Sequence, residues 1–201
     1  VHLKKDKSIL EPCHHPDAEQ CAACQNRGKI DGLGSRNLPT DLSPHDESSR
    51  FSGVMVQENA RNIEILGLEV LGTISSEYQP KMGLIQDIGT KTRGAITLYQ
   101  CQEVRVVDCY AHHNDGTAVY VYGDNCENCL IDNCVLSDNG PTVGSAISGR
   151  EHYLLTVKRN VCESNAYSNI SINGKYSVVE GNISRWAPKG YAGINIGHNN
   201  D

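Results

Sequence analysis

A chain of 201 residues with a net charge of −6 is long enough for a sizeable core but lacks the basic surface that general nucleic-acid binding needs. No apolar run reaches about 18 residues, so nothing reads as a membrane-spanning helix, and no secretory leader is visible. Nine cysteines and two Asn-x-Ser sequons, at Asn169 and Asn182, point to an oxidising compartment and a secreted glycoprotein.

The chain opens with strand character at Val1–Leu3 and Ser8–Leu10. Residues 12–27 then form an irregular excursion rich in Cys and His. Cys21-x-x-Cys24, with Cys13, His14 and His15, has zinc-ligand spacing; the plainer reading is a loop pinned by disulfides among Cys13, Cys21 and Cys24. The stretch GKIDGLG resumes strand character, and residues 35–52 are a second polar excursion with two prolines.

From Gly53 onward the chain repeats itself. Val106 and Ile131, Asp108 and Asn133, Cys109 and Cys134, and Asn114 and Asn139 are each 25 residues apart. Such a period means stacked units. One series of inward strand positions runs Ile30, Ile65, Val106, Ile131, Val157, Val179. Two residues beyond each stands Gly32, Gly67, Asp108, Asn133, Arg159 or Gly181, and all but Arg159 tolerate the left-handed backbone of a sharp bend. A second series, Val54, Ile96, Val119, Ile147, Ile170, Ile194, lies in short alternating strands such as AITL and AVYVY.

Period-2 alternation without helical spacing excludes helical repeats, and the Leu ladder of a leucine-rich repeat is absent. The sequence therefore predicts an all-β fold: one right-handed parallel β-helix of about six to seven rungs over residues 1–201. Residues 71–93 lengthen one rung and predict a loop projecting from the stack. Neither end shows a cap, so the expectation is a fragment of a longer chain or end-to-end packing with other chains.

Stacked rungs lie about 4.8 Å apart, which brings Cys101 and Cys126, and likewise Cys109 and Cys134, within disulfide range. For Cys109 and Cys134 buried free thiols are the competing reading. Asn114, Asn139 and Asn165 are expected to form a side-chain ladder. Cys126-x-x-Cys129 lacks the βαβ surroundings of a redox motif.

The rungs RNIEILGLEV, EVRVVDCYAHHNDGTAVYVYG and NCLIDNCVLSDNG resemble the pectin lyase-like superfamily over about residues 28–200. GKIDGLG resembles the opening of polygalacturonase-type helices, although their paired-Asp and Gly-His-Gly motifs are missing. AHHNDGTAVYVYG looks more like the rungs of alginate-type C5-epimerases, and Ser43-Pro44-His45-Asp46 approaches their Asp-Pro-His motif with Ser in place of Asp. The resemblance implies a polysaccharide partner and action on an acidic, uronate-containing glycan.

Lyases and C5-epimerases on such polymers begin alike: a base removes the proton α to a carboxylate while a cation neutralises that carboxylate. On this expectation His113 and Tyr120 are candidate bases and Arg150 the neutraliser. His112, Tyr122, His152 and Lys175 are candidate substrate-binding residues. Asp115, with Asp108, Asp124, Asp132 and Asp138, offers hard oxygen ligands for calcium. The competing expectation is a non-catalytic structural or carbohydrate-binding solenoid within a larger extracellular protein.

Overall fold

The computed structural model describes residues 28–31, 53–57, 59–72, 94–114, 116–140 and 144–197, the first of these by backbone alone. Every element among them is a strand, and every strand pairing is parallel. Strand β1 (Gly28–Asp31) precedes repeated triplets. These are β2 (Val54–Val56), β3 (Arg61–Leu66) and β4 (Leu68–Leu71), then β5 (Gly94–Tyr99), β6 (Gln102–Val107) and β7 (Tyr110–His112). Next come β8 (Thr117–Glu127), β9 (Leu130–Asp132) and β10 (Val135–Ser137). The last triplets are β11 (Ile147–Tyr153), β12 (Thr156–Lys158), β13 (Val161–Glu163) and β14 (Ile170–Lys175), β15 (Val178–Glu180), β16 (Ile183–Arg185). Strand β17 (Ile194–Gly197) opens a further turn.

Each triplet is one turn of a parallel β-solenoid, and Gly94 onward holds four consecutive turns. The third strands stack with β1 into a six-stranded sheet, β1-β4-β7-β10-β13-β16. First and second strands stack as two columns of one 11-stranded sheet. The long β8 joins them, because Glu127 at its end pairs with Gln102 of β6.

The core is a set of stacked, mostly β-branched side chains. Ile96, Val119, Ile147 and Ile170 are in register and wholly buried, as are Val106, Ile131 and Val157. Ile65 is buried above Val106, and Val54 and Val179 are partly buried against the same core. Two positions depart from expectation. Ile30 pairs with Val70, so it belongs to the six-stranded sheet and not above Ile65. Ile194 keeps its register on Ile170 but is 42% exposed, because no described strand stacks on β17.

Three corners close each turn, and each is a column of left-handed residues. One column is Gly67, Asp108, Asn133, Arg159, Gly181, another Asn62, Glu103, Asn128, Leu154, Tyr176, and the third Gly72, His113, Asp138, Ser164, Trp186. Arg159 therefore belongs in the first column, at φ 55°, despite its side chain. Its guanidinium bonds both oxygens of Asp132 at 2.8 and 2.5 Å in a bidentate pair.

The polar interior is organised as expected. Asn114 Nδ2 donates to Asn139 Oδ1 at 2.8 Å, and Asn139 Nδ2 to Asn165 Oδ1 at 2.9 Å. Asn165 Nδ2 continues to Asn169 Oδ1 at 2.8 Å. A second ladder joins Asn160 Nδ2 to Asn182 Oδ1 at 2.9 Å. Both sequon asparagines are tied into these ladders, and the burial of Asn169 corrects the glycosylation reading at that position. Asn169 is wholly buried with its amide nitrogen donating to Ser184 and Arg185, and Asn182 donates to Val157.

Candidate functional site

The first-strand column presents an outer face built by simple alternation. Ile96 and Leu98, Val119 and Val121, Ile147, and Ile170 and Ile172 point inward, so Thr97, Tyr99, Tyr120, Tyr122, Ser148, Arg150, Ser171 and Asn173 lie on the other face, where Thr97, Tyr99, Tyr120 and Ser148 are themselves buried. Register then lines up Tyr99, Tyr122, Arg150 and Asn173 across successive turns. The Tyr99 and Tyr122 rings stack with centroids 5.9 Å apart, and Tyr120 stacks on Tyr122 at the same separation. Arg150 is exposed beside them. Asn173 Oδ1 is buried without a hydrogen-bond partner among the described residues.

Tyr120 departs from expectation: it is only 2% exposed. The Tyr122 ring lies parallel to it, and Gly94 approaches so closely that a Cβ there would stand 2.8 Å from Tyr120 Cβ. Its face is the expected one, shared with Arg150, but its accessibility is not.

Beside this face is the corner that carries His113, in the turn from β7 to β8. Of the loop expected over residues 71–93, Leu71 ends β4, Gly72 takes this same corner one turn earlier, and residues 73–93 lie outside the described residues. His113 is exposed at φ 53° and lies 2.7 Å from His112, Nδ1 to Nδ1. His112 is buried, stacked on Tyr110 with centroids 4.1 Å apart. Its Nε2 lies 3.0 Å from Glu69 Oε1, on the neighbouring strand β4. Glu69 is buried too, and neither it nor Tyr110 was singled out by sequence pattern. The substrate-binding role foreseen for His112 is corrected by this burial: the ring touches Glu69, Tyr110 and His113 rather than solvent.

His152 is a larger correction. The register slips between Arg150 and His152, with Glu151 at φ 51°, so His152 turns inward instead of outward. It is 3% exposed, and neither ring nitrogen has a hydrogen-bond partner among the described residues. Its room comes from two glycines, since a Cβ at Gly149 or Gly174 would fall 2.6 or 2.4 Å from ring atoms. Burial pulls its pKa down from 6.5 to about 4. Lys175 is exposed and pairs with Tyr153, beyond the slip and away from the Arg150 column.

The six described cysteines are free, buried thiols, so Cys101 and Cys126 stand as separate thiols rather than as a disulfide. Cys101 hydrogen-bonds with the thiols of Cys126 and Cys129, and that contact lowers Cys126 to about 7. Burial pushes Cys134 and Cys162 upward. Cys109 and Cys134 behave as the small interior hydrophobes of the competing reading. Among the described residues no group of three or more His, Cys, Asp or Glu could hold a metal ion. Asp108 accepts from Asn133 and Asp132 is held by Arg159. Asp115, Cys13, Cys21, Cys24, His14, His15 and the Ser43–Asp46 segment lie outside the described residues.

Fold and site together define a parallel β-solenoid with an aromatic and polar outer track. No family model, curated protein or solved structure matches this chain.

Proposed function

We propose that the protein is a polysaccharide-active β-solenoid that holds an acidic glycan along the outer face of its first-strand column. The supporting observation is the in-register series Tyr99, Tyr122, Arg150, Asn173. Half-buried Tyr122, backed by the buried rings of Tyr99 and Tyr120, offers an apolar edge to a sugar ring, and the neighbouring exposed guanidinium pairs with a carboxylate through two hydrogen bonds. The resemblance to pectin lyase-like rungs supplies the chemistry: removal of the proton next to a uronate carboxylate, leading to elimination or epimerisation. With Tyr120 buried, the base is His113. An extracellular setting follows from the substrate class and not from the sequons or cysteines.

The test is a panel of neutral and uronate polymers, scored for binding and for unsaturated product. Binding selective for uronate, lost in Arg150→Ala while the melting temperature stays unchanged, supports the proposal. Equal binding of neutral polymers, or full uronate binding by the variant, refutes it. The burial of Tyr120 favours a second reading, a carbohydrate-binding solenoid without turnover, which binding without product identifies.

A further inference from the structure

The geometry points to a proton-accepting triad at the histidine corner, in which Glu69 and His112 position His113 and store the proton it takes. The inference rests on the glycan-acting reading only for its substrate; the triad itself stands on contacts. A carboxylate accepts hydrogen bonds and cannot donate them, so His112 Nε2, 3.0 Å from Glu69 Oε1, carries a hydrogen. In a neutral His112 ring the other nitrogen, Nδ1, is then a lone pair. His113 Nδ1 lies 2.7 Å from it and must be the donor. His113 is thereby held as the Nδ1–H tautomer, with its Nε2 lone pair left over on an exposed residue.

The burial is distributed as such a device requires. The Glu69 and His112 side chains are 8% and 9% exposed, whereas His113 is exposed. Tyr110 stacks on His112 and fixes the ring plane, and β4 and β7 hold the two partners in adjacent parallel strands. Among the described residues the further ionisable groups at this corner are Tyr110, on the His112 ring, and Asp138, exposed one turn on in the same left-handed column as His113.

The proton balance is complete. The C–H bond beside the uronate carboxylate breaks and its proton goes to His113 Nε2. The electron pair remains on the sugar as the enolate, or expels the neighbouring 4-oxygen as a double bond forms. His113 then passes its Nδ1 hydrogen to His112 Nδ1. The positive charge ends on His112, facing the Glu69 carboxylate, and His113 is left neutral as the Nε2–H tautomer. It is then poised to hand that proton to the departing 4-oxygen in elimination, whereas inversion at C5 needs a second donor on the opposite face of the sugar. His113 is the catalytic residue; Glu69 and His112 are positioning residues.

Nitrogen-15 spectra of the imidazoles test this without any substrate. In the neutral cluster His113 is expected as the Nδ1–H tautomer, the minor form of free imidazole. On acidification the charge should appear on His112 while His113 switches to Nε2–H. In Glu69→Gln the switch should be lost, with His113 titrating on its own ring. His112→Gln should do the same and covers the case in which the first variant fails to fold. An Nε2–H tautomer for His113 throughout the wild-type titration overturns the triad. A second arm measures C5 deuterium uptake from heavy water into a uronate polymer. His113→Gln should slow it by about 10²- to 10⁴-fold while binding persists. Correct tautomers with no glycan binding would refute the glycan reading and leave the triad standing; glycan turnover with the wrong tautomer would do the reverse.

Discussion

Lowering the pH should attack this fold at His152. Its imidazole is 3% exposed with no partner on either nitrogen among the described residues, so the buried ring is held neutral and its pKa lies at about 4 instead of 6.5. The unfolded chain therefore binds one more proton than the folded chain between those two values. Stability is unaffected by this group above pH 6.5 and falls as the pH drops toward 4, by about 1.4 kcal/mol per pH unit. The accumulated loss is about 3 kcal/mol, a large share of the 5–15 kcal/mol typical of a domain. Urea denaturation at half-unit steps from pH 4 to 8, for wild type and His152→Leu, isolates the effect. Leu in the glycine cradle shifts the whole curve through packing, but only the ionisable ring gives the wild type its extra slope. Parallel curves for the two proteins over pH 4–6.5 would refute an inward, unpaired His152.

Three further outcomes check the interior. Val119→Asp places an unpaired carboxylate between Ile96 and Ile147, and thermal melting should show a loss of about 3–5 kcal/mol. Asn139→Ala removes a ladder rung with its bonds to Asn114 and Asn165 and to the carbonyls of Ala111 and Ser137. Its cost by urea denaturation should be about 3 kcal/mol, against about 1 kcal/mol for Asn182→Ala at the half-exposed end of the second ladder. Alkylation followed by peptide mass mapping should leave Cys101, Cys109, Cys126, Cys129, Cys134 and Cys162 unmodified in the folded protein and modify all six in urea.

Much of the architecture was legible because the solenoid repeats a local grammar. A β-branched residue, a bend two positions on and an asparagine at the corner recur with the turn length, so Val106, Ile131 and Val157 found one another by spacing alone. Ile30 was misplaced because its Ile-x-Gly signature occurs at any corner, and only pairing with Val70 says which. Arg159 stood out as the one residue type in its column not suited to a left-handed bend, and its partner Asp132 lies 27 residues away. The site was less legible. Tyr120, Tyr122 and Arg150 share a face by alternation, but alternation assumes an unbroken strand, and the slip after Arg150 sent His152 inside. A signal was present: Gly149 stands where Leu98 and Val121 set the inward column, so something else had to fill that space. Glu69 gave no signal, being an ordinary glutamate in a strand whose partner lies 43 residues onward.

The asparagine ladders also give the molecule an electrical direction. Each amide from Asn114 to Asn165 donates one Nδ2 hydrogen forward to the next asparagine Oδ1 and another back to a backbone carbonyl of the preceding turn, and Asn139 and Asn165 offer their Oδ1 to the asparagine before them. Asn160 points the same way toward Asn182. Strand dipoles in a sheet largely cancel, but these side-chain dipoles add head to tail along the axis, inside a low-dielectric interior where each polarises the next. The interior therefore carries a fixed polarity, negative toward the earlier turns and positive toward the later ones. It is set by six uncharged residues, is hidden from solvent salt for most of its length, and is invisible in a count of the formal charges.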